Sequence, residues 1–119
     1  MPVIKRLFYS TNAFDKQWDH MGLDDDDRRR LENEILNSPT IGAVMRGTGG
    51  LRKMRFAFDD RGKSGSARVL YVDFVVYERI YLIYAYPKGQ KDDISYEERK
   101  AFKNLIDQAK KELGGRHHE

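Results

Sequence analysis

Lys53 and Arg55 stand two residues apart in Leu51-Arg52-Lys53-Met54-Arg55-Phe56-Ala57-Phe58, a run that reads as a β-strand. Side chains two apart on a strand share a face, so Lys53, Arg55 and Ala57 point one way and Arg52, Met54, Phe56 and Phe58 the other. The apolar set must face a core, which leaves two cations side by side in solvent. Arg68 opens a second strand-like run, and Tyr86 closes a third, with Lys88 and Lys91 following directly. Cations grouped around a tyrosine suit phosphodiester cleavage in RNA better than other reactions. Arg and Lys can neutralise charge building on the phosphoryl oxygens, and a tyrosine can stack on a base or donate a proton. A lysine crowded by cations can act as a base, and the nucleophile can be the substrate's own 2′-hydroxyl.

Other chemistries lack their residues. Zero cysteines exclude thiol catalysis, disulfides and thiolate zinc sites. His20, His117 and His118 are too scattered for an acid and base pair. The acidic run Asp24 to Asp27 precedes a helical stretch, where capping explains it better than metal binding, so no metal and no cofactor is expected. Gly47-Thr48-Gly49-Gly50 lacks the Lys-Ser/Thr ending of a phosphate loop and leads into a strand, so it is read as a tight entry to that strand.

The charges are segregated. Residues 24–38 hold six carboxylates against three arginines, a net of −3, whereas residues 46–68 hold seven cations against two carboxylates, a net of +5. In a chain whose total is only +3, a positive centre points to an anionic partner, because local field attracts phosphates.

The elements that must position these groups follow from periodicity. Val3 to Tyr9 reads as a first strand ending at Ser10-Thr11-Asn12, which can cap a helix from Ala13 to about His20. Asp24 with Asp27 resembles a capping box and starts a second helix that runs to about Asn37, where Ser38-Pro39 stops it. Residues 40–50 read as irregular. Residues 51–58, 67–77 and 80–86 read as three antiparallel strands, the last two joined by a turn near Glu78-Arg79. Asp59 to Ser66 is a polar, glycine-rich loop at the rim. Ser95 with Glu98 caps a final helix carrying Phe102, Leu105, Ile106, Ala109 and Leu113, which Gly114-Gly115 is expected to end, leaving a frayed tail from about 114. Strict alternation puts Arg68 on the side of Leu70, Val72 and Phe74, read as the core side, so a bulge or the strand's twist is needed to bring its guanidinium to the open face. The fold class is α+β: one domain over 1–119, with two N-terminal helices and one C-terminal helix on a mainly antiparallel sheet whose open, basic face holds RNA. No apolar run approaches the ~18 residues of a membrane helix, and the start lacks a secretory signal, so a soluble cytoplasmic protein with no membrane partner is expected.

Three motifs carry a family likeness: Gly47-Thr48-Gly49-Gly50-Leu51-Arg52-Lys53-Met54-Arg55, Gly62-Lys63-Ser64-Gly65-Ser66-Ala67-Arg68-Val69-Leu70-Tyr71, and Ile80-Tyr81-Leu82-Ile83-Tyr84-Ala85-Tyr86-Pro87-Lys88. Together, and in this order along nearly the whole chain, they resemble the HigB-2 branch of the RelE-like toxins of type II toxin–antitoxin systems. The resemblance implies a ribosome-dependent, metal-independent mRNA endonuclease that cuts in the decoding site by 2′-hydroxyl attack. It also implies an antitoxin partner, commonly with a helix-turn-helix DNA-binding domain, through which alone operator DNA is reached. By position, Lys53 would be base or charge stabiliser, Arg55 and Arg68 transition-state clamps, and Tyr86 stacking partner or acid. Arg52, Lys63, Lys88 and Lys91 would bind substrate. Ser66 stands where the family often has a second glycine.

Two rivals keep the same fold. One is a non-catalytic RNA or ribosome binder, and the other an interaction protein whose basic groove serves an acidic or amphipathic partner segment. At the residue level, Lys53 and Arg55 could be a solvated strand face, Arg68 an ion-pair partner of Asp59, Asp60 or Asp73, and Tyr86 a core-edge residue.

Overall fold

Thr11 and Asp24 show how locally the first half of the chain is specified. In the computed structural model, which describes residues 4–58, 65–91 and 93–117, with residues 116 and 117 by backbone alone, Thr11 Oγ1 accepts the Phe14 amide at 3.0 Å and starts α1 (Asn12–His20). The same hydroxyl donates to the Ile83 carbonyl at 2.6 Å, tying the helix start to a strand far along the chain. Asp24 and Asp27 exchange amide bonds, 2.9 Å each way, and start α2 (Asp25–Asn37). The capping reading of the acidic run therefore holds for these two residues.

Five strands form one sheet: β1 (Leu7–Ser10), β2 (Ala43–Val44), β3 (Arg52–Ala57), β4 (Ser66–Phe74) and β5 (Arg79–Pro87), in the order β1-β5-β4-β3-β2. β1 runs parallel to β5, and the other pairings are antiparallel. α3 spans Tyr96–His117 and opens with the Ser95–Glu98 box, closed by amide bonds of 2.8 and 3.1 Å.

Each face of the sheet has its own core. On one, α1 and α2 bring Phe14, Trp18, Leu31 and Ile35 against Met54, Phe56, Val69, Tyr71 and Leu82. On the other, α3 brings Ile106, Ala109 and Leu113 against Leu51, Leu70, Val72, Phe74 and Tyr86. The face expected to lie open is thus half covered by α3.

Several expectations need correction. The first strand begins at Leu7, with residues 1–3 outside the described part, and residues 43–44 add a short strand to a stretch read as irregular. The run 67–77 ends as a strand at Phe74; Val75–Tyr77 form a 3-10 turn and Glu78 takes a left-handed φ of 55° into β5. Gly114-Gly115 does not end α3, which runs on to His117. A mid-helix glycine costs about 1 kcal/mol and stops a helix only when it takes positive φ as a cap. Neither glycine takes a positive φ, and a Cβ at Gly114 would meet the Tyr77 hydroxyl at an ordinary contact distance of 3.4 Å. The frayed tail from 114 is therefore helix as far as 117; residues 118 and 119 are outside the described part, as are Asp59–Ser64 of the rim loop.

Candidate active site

Strand register brings the expected residues together. Arg55 of β3 lies opposite Arg68 of β4, and Arg68 lies opposite Tyr86 of β5. Directly opposed residues project from the same face with Cβ atoms about 4.5–5.5 Å apart, so the three form a row across three strands. One pair inward, Lys53 is opposite Leu70, which is opposite Tyr84. Lys53, Arg55, Arg68 and Tyr86 therefore occupy one patch of the α3-side face, next to the N-terminus of α3.

Two physical facts account for this placement. The sheet has a core on both faces, so the side Arg68 shares with Leu70 and Val72 is also the side to which Lys53 and Arg55 point. No irregularity in β4 is needed. A bulge does matter in β5: the register slips between Leu70 and Tyr71, which pair with Tyr84 and Leu82, leaving Ile83 as the extra residue. Ile80 and Leu82 pack on the α1–α2 side, whereas Tyr84 and Tyr86 pack on the α3 side. Without that residue, simple alternation would keep Tyr86 on the face of Leu82.

The patch is graded in exposure. Arg55 is exposed, Lys53 and Arg68 half-buried, and Tyr86 fully buried. Among the described residues the Tyr86 hydroxyl has no hydrogen-bond partner. Burial pushes its phenol above the ordinary value of 10.0, Asp93 adds to the effect and Arg68 opposes it. The Lys91 ammonium lies 5.2 Å from the ring centres of both Tyr84 and Tyr86. It is held there by both Glu98 oxygens, at 2.8 and 2.7 Å. Burial resists ionisation of Glu98, but hydrogen bonds from Lys91 and the Ser95 amide outweigh it and lower its pKa. Lys53 Nζ lies 3.5 Å from Asp93 Oδ1.

The other candidate binding cations are dispersed. Arg52 is on the opposite face, where its guanidinium donates to the Gly42 carbonyl at 2.7 Å. Lys88 is exposed just beyond β5, its amide bonded to the Ser66 carbonyl. Lys63 lies outside the described residues. Asp73 is paired with Arg6 at 2.7 Å, which removes it as a partner for Arg68. Tyr71 is core, donating to the Pro39 carbonyl and accepting from the Gly42 amide. The glycine run is a tight strand entry: Gly47, Gly49 and Gly50 take positive φ, and Thr48 Oγ1 bridges the Met45 carbonyl and the Leu51 amide.

Arg55 facing Arg68 is costly on its own, since like charges directly opposed in a sheet repel. Chemically, two arginines opposed across neighbouring strands beside a buried phenol could hold an anion with several oxygens. Residues 6–114 match the model of the family described as RelE toxin of the RelE / RelB toxin-antitoxin system. The chain belongs to the RelE toxin family. A solved structure agrees on the fold. A double arginine-to-alanine mutant of E. coli toxin RelE in the free state superposes with a TM-score of 0.51 at 18% identity, covering 85% of this chain and 96% of that one. The isolated E. coli RelE toxin, at 21% identity, gives 0.46 over 84% and 98%. A RelE-family toxin belongs to a toxin–antitoxin pair, so its partner is an antitoxin. Among the described residues no helix is long and apolar enough to cross a membrane.

Asp93, Glu98 and Arg99 were not among the expected site residues. Glu98 was legible only as half of a capping box, and no local pattern tells that the start of α3 folds back over β3 and β5.

Proposed function

We propose that this RelE-family toxin is a metal-independent endoribonuclease of the HigB-2 branch, which cuts mRNA in the ribosomal decoding site and thereby stops translation in the cytoplasm. The observation that carries the reading is the cross-strand row Arg55–Arg68–Tyr86 with Lys53 beside it. In this reading the 2′-hydroxyl passes its proton to a solvent water and its oxygen forms a bond to phosphorus while the bond to the 5′-oxygen breaks, leaving a 2′,3′-cyclic phosphate and a 5′-hydroxyl. Arg55 and Arg68 clamp the phosphoryl oxygens as charge builds on them. The Lys53 ammonium adds to that stabilisation, and the Tyr86 phenol, protonated well past neutral pH, gives its proton to the departing 5′-oxygen. Full burial of Tyr86 favours the acid role over base stacking. Lys88 and Lys91 bind flanking phosphates, Lys91 after release from Glu98. The antitoxin, with a helix-turn-helix domain, blocks the patch and alone contacts operator DNA.

Purified protein on mRNA-programmed ribosomes tests this. Lys53→Ala, Arg55→Ala or Arg68→Ala should slow single-turnover cleavage by about 10²–10³-fold, the usual loss for a removed transition-state contact, with ribosome co-sedimentation nearly unchanged. Equal loss of binding and cutting would instead favour a non-catalytic ribosome binder.

A further inference from the structure

Lys53 carries about 2 kcal/mol of rotamer freedom on its four-carbon stem and shares its strand face with the like charge of Arg55, so something must hold its ammonium over the patch. Asp93 does so from the residues just before α3. Its Oδ1 faces Lys53 Nζ at 3.5 Å and accepts the Ile94 amide at 2.8 Å, while its Oδ2 lies 3.4 Å from Arg99 Nη2. Arg99 in turn donates to the Arg46 carbonyl at 2.9 Å, in the loop that leads into β3. The contacts close a ring from β3 through Lys53, Asp93, Arg99 and Arg46 back to β3.

We propose that Asp93, steadied by Arg99, is a positioning residue that fixes the Lys53 ammonium beside the Arg55–Arg68–Tyr86 row. The proposal rests on the cleavage reading for its kinetic consequence, not for its geometry. Stability does not explain the ring: the Lys53 and Asp93 side chains are 30% and 46% exposed, and pairs so open to water are worth about 0–1 kcal/mol at most. Placement of one cation within reach of a reacting phosphate has a larger effect, because small misplacements at a reacting centre cost one to two orders of magnitude in rate.

Two measurements test it. Asp93→Asn keeps an oxygen for the Ile94 amide and removes the charge. Side-chain ¹³C relaxation should then show greater mobility at Lys53 Cε, and Arg99→Gln should shift it in the same direction. On programmed ribosomes Asp93→Asn should slow single-turnover cleavage about tenfold, with the half-saturating ribosome concentration within about twofold of wild type. In a Lys53→Met background the same change should cost nothing further, since the two residues act as a unit. Unaltered Lys53 order, or a full tenfold loss persisting in Lys53→Met, overturns the proposal. Loosened Lys53 in a protein whose wild type never cuts would uphold the placement and sink the cleavage reading, so the two fail separately.

Discussion

The Tyr86 hydroxyl is an anomaly that a folding argument alone does not favour. A buried hydroxyl without a partner costs about 1–3 kcal/mol, which a phenylalanine at the same place would not incur. Tyr86→Phe is therefore expected to leave the protein as stable as wild type or slightly more so in chemical denaturation, while cleavage on programmed ribosomes falls by at least about tenfold. A stable variant that cuts at the wild-type rate would remove Tyr86 from the mechanism. The sign of the pH effect is also fixed. Because burial raises the folded-state pKa above 10.0, the neutral phenol's contribution is complete below that value and is lost as pH rises through the folded pKa. Wild type should thus lose stability at the alkaline end more steeply than Tyr86→Phe. At this scale the sequence was partly legible. The two-residue spacing of Lys53 and Arg55 was enough to put them together in solvent. Arg68 was not placed, because alternation was weighed against a single core when each face of the sheet has one. Tyr86 depended on the extra residue at Ile83, and a bulge leaves no mark in composition or alternation.

Among the elements, the start of α3 has two tasks that meet in Glu98. It closes the capping box with Ser95 and holds Lys91 over Tyr84 and Tyr86. Its folded-state pKa lies below 4.5, so its contribution to stability is present above that value and is lost as pH falls through the folded pKa. Glu98→Gln should flatten that acid limb. Thermal melts from pH 7 to pH 3 are the check: the difference between wild type and variant should shrink as pH falls, and a constant difference would mean that packing rather than charge is at stake. The capping pairs Asp24–Asp27 and Ser95–Glu98 were readable from sequence, since a cap is local chemistry over four residues. The end of α3 was not, since the glycines at 114 and 115 looked like a stop, whereas the helix runs on through them to His117.

The molecule as a whole is a sheet between two unequal helical layers, and the layers differ in what they support. α1 and α2 cover one face, although Gln17 of α1 donates to the Tyr84 hydroxyl at 3.0 Å, whereas α3 roofs the second core, where its Ile106 packs with Ile94 and Tyr86, and so also walls the site. Equal injuries to the two layers should therefore have unequal effects. Ile35 and Ile106 are both fully buried, one under each face. Removing a methylene from either, as Ile35→Val or Ile106→Val, should cost about 0.5–1.5 kcal/mol in denaturant unfolding. Well below both melting temperatures Ile35→Val should cut like wild type. Ile106→Val should cut several-fold more slowly, because a loosened α3 lets water reach Tyr86 and frees the segment carrying Asp93 and Glu98. Matched stability losses with matched cleavage rates would show that α3 only roofs the sheet, and that the cations of β3 and β4 hold their geometry without it.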